Sequence, residues 1–254
     1  MSLSNILGID IGGSGIKGAI VDTESGQLVT ERVKIKTPQP STPEAVAIVV
    51  QQLIDEIGYD GELIGCGFPA VIKNGVAYSA ANIHPAWKGT NIEELLSEKT
   101  GRRFIVTNDA DAAGLSEMRF GKGKGVNGNV ILITIGTGLG SALFTDGHLV
   151  RNTEFGHANL HGMIAEHYVS NTARKKYKMS WKTFGRRFNE YLKMIERITS
   201  PDLIILGGGV SNSFDKFGPF ITIQTPVTTA AMFNHSGIIG AALYASEMIA
   251  LESV

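Results

Sequence analysis

Two glycine-rich segments of similar sequence, 124 residues apart, limit the folds open to this chain. Ile133–Ser141 aligns without a gap on Ile9–Lys17. In each copy an apolar strand enters a glycine loop, a second strand leaves it, and an Asp follows at a turn, Asp22 or Asp146. The repeat predicts a protein with two related halves.

Apolar spacing along the rest of the chain predicts alternating strands and helices. The clearest segments are a helix that starts at the capping box Ser41-Thr-Pro-Glu44 and ends at Gly58, a buried strand at Leu63–Phe68, a strand at Phe104–Thr107, a helix from about Ser180 to Thr199, and a last helix at Ile238–Ile249 rich in Gly and Ala. The long helix carries an apolar stripe made of Trp181, Phe184, Phe188, Tyr191, Leu192, Ile195 and Ile198.

This alternation in two related halves favours an α/β protein with two lobes and a cleft between them. We expect a smaller N-terminal lobe, residues 1–107, completed by the C-terminal helix at 238–254. Residues 108–237 would form the larger lobe.

Composition excludes several classes of protein. A net charge of -1 over 254 residues argues against a nucleic-acid or membrane-surface binder. Cys66 is the one cysteine, which excludes a disulfide framework and a cysteine-based zinc cluster. We expect no secretory leader, because no N-terminal stretch has a basic start, an apolar middle and a small-residue cleavage site, and no apolar run reaches about 18 residues. We therefore expect a cytoplasmic protein.

Three glycine loops are candidates for phosphate binding: Asp10–Lys17, Thr134–Ser141 and Gly207–Ser211. Glycine lets backbone N–H groups approach an anion without a side chain in the way. The chain has no G-x-x-x-x-G-K-[ST] motif, so a P-loop is excluded. A strand, and not a helix, follows the first two loops, which argues against a dinucleotide site.

Taken in order, five motifs resemble those of the ROK family of sugar kinases. They are Asp10-Ile-Gly-Gly-Ser-Gly-x-Lys17, Asn108-Asp-Ala-Asp-Ala-Ala113, Thr134-x-Gly-Thr-Gly-x-Gly-Ser141, Glu154-Phe-Gly-His157 and Gly207-Gly-Gly-Val-Ser211. The resemblance covers nearly the whole chain and implies an actin-like ATPase (ribonuclease H-like) fold with duplicated lobes and a central cleft. Within the family the chain is most similar to the polyphosphate-dependent glucokinases of bacteria.

The resemblance implies a catalytic base at Asp109, which would take the proton of the sugar hydroxyl. From the local sequence alone, Asp109 is equally suited to cap a helix, and Asp111 is a competing candidate. The implied sugar ligands are Asn82, Asn108, Glu154, His157 and Glu166. Asn82 is as well suited to forming a turn, and the register of Glu166 is less firmly fixed.

The glycine loops are assigned to the phosphoryl donor. The expected phosphate ligands are Asp10, Gly12, Gly13, Ser14, Lys17, Thr134, Gly136, Thr137 and Gly138, and Gly207, Gly208 and Gly209 would hold a nucleotide or polyphosphate. Lys17 is alternatively an exposed strand lysine.

Asp10 is expected to organise Mg²⁺ indirectly, because this ion keeps most of its waters. No cysteine follows His157, so we expect no structural zinc.

Seven basic residues and no acidic residue occur between Arg174 and Arg187. Such a run is either a solvated helix face or a local positive patch for a long polyanion.

The function that this sequence favours is a homodimeric kinase transferring a phosphoryl group from inorganic polyphosphate to the 6-hydroxyl of glucose. An ATP-dependent glucokinase or glucomannokinase is the alternative. A sugar-sensing regulator is disfavoured, because the first strand is expected by about Asn5 and leaves no room for a helix-turn-helix. A filament-type ATPase would give no reason for the sugar-binding motifs.

Overall fold

The computed structural model describes residues 4–80, 83–232 and 235–252. The chain forms two compact units, which we call unit 1 (residues 1–116 and 235–254) and unit 2 (residues 117–234).

Unit 1 is built on a six-stranded sheet. Its strands are β1 (Asn5–Ile11), β2 (Ile16–Asp22), β3 (Gln27–Leu28), β4 (Val33–Ile35), β5 (Leu63–Phe68) and β8 (Arg103–Asn108), and β6 (Ile72–Lys73) and β7 (Val76–Ala77) form a separate hairpin. The sheet order is β3-β2-β1-β5-β8, with β4 beside β2. β1 and β2 are antiparallel, and β5 runs parallel to both β1 and β8.

The helices of unit 1 occupy the segments that the sequence predicts, and the C-terminal one, expected at Ile238–Ile249, is longer at both ends. They are α1 (Pro43–Ile57), α2 (Ile92–Thr100), α3 (Asp109–Phe120) and the C-terminal helix (Ser236–Glu252). The Thr42 side chain accepts the N–H of Ala45 at the start of α1, and Gly58 ends that helix in the left-handed conformation.

Helices cover both faces of the unit 1 sheet. A Cβ at Gly18 would contact Leu53 of α1, whereas one at Gly8 would lie 2.0 Å from the backbone oxygen of Ile238 in the C-terminal helix. Gly8 and Gly18 belong to adjacent residue pairs of the β1–β2 ladder, and adjacent pairs face opposite sides of a sheet. The C-terminal helix and α1 therefore lie on opposite faces.

The boundary between the units falls within α3, at residues 116/117, whereas the sequence-based expectation placed it at 107/108. The first turns of α3 pack on unit 1. A Cβ at Gly240 would lie 1.6 Å from the backbone oxygen of Ala112, and one at Gly67 would lie 3.5 Å from the Ala112 methyl group. The start of α3 is therefore fixed to β5 and to the C-terminal helix.

Unit 2 repeats the strand order of unit 1. Its strands are β9 (Asn129–Ile135), β10 (Leu139–Thr145), β11 (His148–Val150), β14 (Leu203–Gly207) and β15 (Val227–Thr229), and β12 (Asn159–Leu160) and β13 (Met163–Ile164) form a separate hairpin. The sheet order β11-β10-β9-β14-β15 has the same sense of pairing, with an antiparallel β9–β10 pair and parallel β14 and β15. The predicted duplication is confirmed.

The two copies differ by one residue in the glycine loop. β1 and β9 superpose at the predicted offset of 124, but four residues separate β1 from β2 and three separate β9 from β10. Ile16 therefore corresponds to Leu139, and not to Gly140 as in the ungapped alignment. A shift of one residue exchanges the two faces of a strand, and the observed match keeps buried residues over buried residues.

Helix α6 organises the core of unit 2. The helices of this unit are α4 (Ala165–Tyr168), α5 (Asn171–Lys176), α6 (Trp181–Thr199) and α7 (Phe214–Phe217). Phe184 and Phe188 of α6 meet Phe217 edge to face at 5.3 and 5.8 Å. The predicted apolar stripe is correct except for Ile198, which is 60% exposed because it falls on the solvent side of the last turn.

No helix within the described residues has the length and apolar character that a bilayer span requires.

Candidate functional site

The predicted site residues divide between the two units. Unit 1 holds Asp10, Gly12, Gly13, Ser14, Lys17, Asn108 and Asp109. Unit 2 holds Thr134, Gly136, Thr137, Gly138, Glu154, His157, Glu166, Gly207, Gly208 and Gly209. Asn82 lies outside the described residues.

Asp109 stands at the junction of β8 and α3, and Asn108 caps the helix. The Asn108 side-chain oxygen accepts the N–H groups of Ala110 and Asp111 at 2.8 and 3.1 Å, and its amide donates to the Ala70 carbonyl at 3.0 Å. Asp109 is half-buried, whereas Asp111 is 1% exposed. A substrate therefore reaches Asp109 more readily than Asp111.

The cap also limits the hydrogen bonds that the Asn108 side chain can offer to a ligand. One amide hydrogen remains after the three backbone contacts, on a side chain that is buried. The alternative considered for Asp109, that it caps the helix, is largely taken over by Asn108, although Asp109 Oδ1 also accepts the N–H of Ala110 at 2.8 Å.

The glycine loop of unit 1 starts at a carboxylate. Asp10 and Lys17 face each other across the β1–β2 ladder, and the Lys17 ammonium lies 3.0 Å from Asp10 Oδ2. Gly13 and Ser14 are exposed at the tip of the loop. A Cβ at Gly237 would lie 3.0 Å from the Asp10 carboxyl carbon, so the C-terminal helix begins against this carboxylate.

Two glycine segments converge in unit 2. Gly207 pairs with Thr134 across the parallel β9 and β14 strands. Gly208 has φ 76°, and a Cβ there would lie 2.6 Å from the backbone nitrogen of Ile135, so glycine is required at this position. The loop after β14 therefore runs along the entrance of the Gly136–Gly138 loop.

The predicted sugar ligands of unit 2 attach to the strand that leaves this loop. Glu154 immediately precedes the 3₁₀ turn Phe155–His157, and His157 is its last residue. The His157 Nδ1 lies 2.8 Å from Glu154 Oε2. Both side chains are partly exposed, at 40% for His157 and 32% for Glu154. Glu166 Oε2 accepts the N–H of Leu139 at 3.3 Å.

Ser141, to which sequence analysis gave no separate role, fixes the turn that carries Glu154. Its hydroxyl donates to the Thr153 carbonyl at 2.6 Å and accepts the N–H of Phe155 at 2.9 Å. A Cβ at Gly156 would lie 2.1 Å from the Leu139 oxygen. The sequence signal for this role of Ser141 is its position at the end of the repeated motif. No sequence signal indicated that Gly237 lies against Asp10, because the two residues are at opposite ends of the chain.

Burial keeps two titratable groups near these carboxylates neutral. Burial raises the pKa of the Cys66 thiol, and the charge of Asp10 adds to the effect. Burial likewise raises the pKa of Tyr191, with a further contribution from Glu154. Cys66 is therefore a protonated thiol and no candidate nucleophile.

Among the described residues, no three His, Cys, Asp or Glu side chains come together as a metal site. Asp10 has one oxygen bound to Lys17, which suits contact with a metal through water better than direct ligation in a protein cage. The donor set therefore fits an ion carried largely by phosphate oxygens and water.

We predict that purified protein washed with chelator holds no stoichiometric zinc, because no cysteine follows His157 and thiolates are the usual ligands of structural zinc. Elemental analysis measures this. A content of about one zinc per chain would contradict the prediction and make His157, His161 and His167 the ligand candidates.

Comparison with known proteins adds a family and several relatives. A family model described as "ROK family" matches residues 6–166. The chain is 44% identical, over 93% of its length, to the polyphosphate glucokinase of Mycobacterium leprae (strain TN), of which it covers 73%. It is equally similar to that of Mycobacterium tuberculosis (strain ATCC 25618 / H37Rv), of which it covers 89%.

Solved structures share the fold. An inorganic polyphosphate/ATP-glucomannokinase from Arthrobacter sp. strain KM superposes with a TM-score of 0.93 at 43% identity, covering 96% of this chain and 99% of the other. A ROK family glucokinase from Streptomyces griseus, solved with glucose and AMPPNP, superposes with a TM-score of 0.84 at 24% identity, over 96% and 99% of the two chains. At that identity the likeness supports the fold alone.

Proposed function

The chain belongs to the ROK family, and from that premise we propose that it is a polyphosphate glucokinase. It transfers the terminal phosphoryl group of inorganic polyphosphate to the 6-hydroxyl of glucose. One structural observation supports the assignment as a sugar kinase. The three proposed sugar ligands Glu154, His157 and Glu166 all lie in segments that contact Leu139–Ser141, directly after the unit 2 glycine loop. The choice of donor is supported by the 44% identity to mycobacterial polyphosphate glucokinases.

Asp109 is the general base in this proposal. Its carboxylate takes the proton of the 6-hydroxyl while that oxygen attacks the terminal phosphorus. The bond from this phosphorus to the bridging oxygen breaks, and the shortened polyphosphate leaves with the electron pair. Support comes from the place of Asp109 at the start of α3, where the rigid β8–α3 junction holds a half-buried carboxylate.

Glucose is held by groups that both donate and accept hydrogen bonds. The Glu154 carboxylate accepts from sugar hydroxyls, and His157 is oriented by its 2.8 Å contact with Glu154. Glu166 binds the Leu139 N–H through Oε2, and its Oε1, which lies 3.9 Å from His167 Nε2, is the oxygen proposed to accept from glucose. Asn108 contributes at most its remaining amide hydrogen, and Asn82 stays a proposed ligand.

The phosphate chain is held by the glycine loops and hydroxyl groups. Backbone N–H groups in such loops suit an oxyanion that brings many acceptors and no donors. The N–H groups of Gly12 and Gly136 already donate within their loops, to the Gly15 carbonyl at 3.1 Å and the Gly138 carbonyl at 3.0 Å, so these two glycines shape the loops around the phosphate. The proposed contacts are Thr134, Gly136, Thr137 and Gly138 from unit 2, Asp10, Gly12, Gly13, Ser14 and Lys17 from unit 1, and Gly207, Gly208 and Gly209 for the rest of the donor.

Mg²⁺ is the proposed cofactor, held by Asp10 through water. When bound, the ion neutralises charge on the transferred phosphate oxygens. Lys17 keeps Asp10 in a fixed position, since its ammonium lies 3.0 Å from one carboxylate oxygen.

A donor comparison tests the proposal. With Mg²⁺ and glucose, we expect long-chain polyphosphate to support glucose 6-phosphate formation with a kcat/KM at least as high as that of ATP. The measurement is the initial rate by coupled oxidation of the product, with heat-treated protein as the blank. Activity with ATP and none with polyphosphate would leave an ATP-dependent glucokinase.

A glucomannokinase is the second candidate, and one observation favours it. The Arthrobacter relative at 43% identity is an inorganic polyphosphate/ATP-glucomannokinase. Rates with mannose in the same assay decide between the two, because a glucose-specific enzyme would show little turnover of mannose at saturating donor.

A further inference from the structure

The basic run between Arg174 and Arg187 is divided by the fold into two groups. Arg174 lies 4.1 Å from the centre of the Trp181 ring, and Arg187 lies 4.5 Å from that of Tyr168, so both arginines pack on aromatic residues. The other five cations are exposed, and we call them the basic face: Lys175, Lys176, Lys178, Lys182 and Arg186.

Tyr177 brings the end of α5 close to the first turns of α6, which carry the two parts of the basic face. The centre of its ring lies 5.3 Å from the Lys176 ammonium and 5.4 Å from the Arg187 guanidinium. Lys182 and Arg186 are four residues apart on α6 and so lie on the same side of it.

No carboxylate neutralises the basic face. Within the ranges that the structure describes, none of its five cations forms an ion pair. The nearest acid along α6, Glu190, is already bound by Tyr168 at 2.7 Å and His161 at 2.9 Å. Partial burial acts to raise the pKa of the Glu190 carboxyl, but these hydrogen bonds hold that pKa below its usual value. Glu190 is therefore a partner of the β12–β13 turn and not of the lysines.

Helix α5 connects the basic face to the phosphate loop of unit 2. The backbone N–H of Asn171, its first residue, donates to the Gly136 carbonyl at 3.1 Å. Lys175 follows four residues later, about 6 Å farther along the helix axis. A chain of phosphates that passes through the loop and continues for several units past Asn171 therefore meets the basic face.

We propose that the basic face binds the stretch of long-chain polyphosphate that extends beyond the phosphoryl group being transferred. This inference rests on the proposed function and names a second contact region for the same donor. Polyphosphate presents a dense row of negative charge, and unlike a nucleotide it has no nucleobase and no sugar hydroxyl groups. Lysine ammonium groups on flexible stems suit such a ligand, because they follow charge without demanding one geometry.

The proposal separates donors by length. ATP and tripolyphosphate carry at most two phosphates beyond the one transferred, so a long chain makes more contacts with the basic face than either of them. Since exposed charges are screened over about 8 Å at physiological salt, the KM for long polyphosphate should rise with salt more steeply than that for ATP.

The test is a triple variant, Lys175→Ala/Lys176→Ala/Lys178→Ala. We expect the KM for long polyphosphate to rise about tenfold, the size expected when three exposed charge contacts are lost together. KM for tripolyphosphate and ATP should change less than about twofold. The matched control is Lys193→Ala/Arg197→Ala/Lys216→Ala, which removes three exposed charges of unit 2 outside the basic face. An equal effect on all donors, no effect on any, or the same effect from the control overturns the proposal.

Direct binding distinguishes failure of this inference from failure of the proposed function. Fluorescently labelled long polyphosphate is titrated with wild-type protein and with both variants, and anisotropy is followed. Tight binding by the wild type and the control, weakened in the Lys175/Lys176/Lys178 variant, supports the basic face even if polyphosphate proves not to be a donor. Equal binding by all three proteins, or none by the wild type, overturns it.

Discussion

Replacing Asp109 with Asn is expected to lower kcat for glucose phosphorylation by about 10²- to 10⁴-fold, the usual cost of losing a general base. The amide keeps the size of the side chain and leaves the Asn108 cap of α3 in place, but it accepts no proton. Glucose binding should change little, because the proposed sugar contacts lie in other side chains. Initial rates give kcat, and calorimetric titration with glucose gives the affinity.

Asp111→Asn is the matched comparison, since this second carboxylate lies two residues farther along α3 and is almost fully buried. We expect Asp111→Asn to lower the free energy of unfolding while the folded fraction keeps most of its kcat. The assignment of the base to Asp109 is wrong if Asp109→Asn retains more than a third of wild-type kcat, or if Asp111→Asn alone abolishes turnover in folded protein.

Elements with a local signature could be predicted to within one or two residues. The capping box Ser41-Thr-Pro-Glu44 gives the start of α1, although the cap is Thr42, and Gly58 gives its end. The strand β5 follows from an apolar run between the Asp60-Gly-Glu62 turn and Pro69. The duplicated fold also follows from sequence, because both copies keep the order of strand, glycine loop and strand.

Features that depend on contacts between distant segments could not be predicted. The missing residue in the unit 2 glycine loop leaves no trace in an ungapped alignment, since Gly140 and Ile16 are both compatible with a strand. The Asn108 amide donates to the carbonyl of Ala70, 38 residues away, and the convergence of Gly208 on Ile135 joins segments more than 70 residues apart. Such pairings are set by the sheet order, which no local pattern encodes.

The packing of the C-terminal helix shows what such a distant contact does for the site. A Gly-rich and Ala-rich sequence predicted close packing, and the structure shows its partners. Gly8 and Gly65 pair across β1 and β5, and a Cβ on either would lie 2.0 Å from a backbone oxygen of the helix, at Ile238 or Ala241. The same helix meets Asp10 through Gly237 and the start of α3 through Gly240. It therefore supports the positions of both Asp10 and Asp109.

Replacing Gly65 with Ala is accordingly expected to lower the free energy of unfolding by about 3 kcal/mol, the upper part of the usual range for overpacking a core. The added methyl group meets backbone and not a flexible side chain, so the helix must move away from β5. Urea denaturation followed by circular dichroism measures the change.

The matched control is Gly67→Ala, two residues along on the same face of β5, where the nearest atom to the new Cβ is 3.5 Å away. We expect that control to change the free energy of unfolding by less than about 1 kcal/mol, because its methyl group makes ordinary van der Waals contacts. Equal destabilisation by the two substitutions would show that glycine matters in β5 for its backbone alone, and not for the approach of the C-terminal helix.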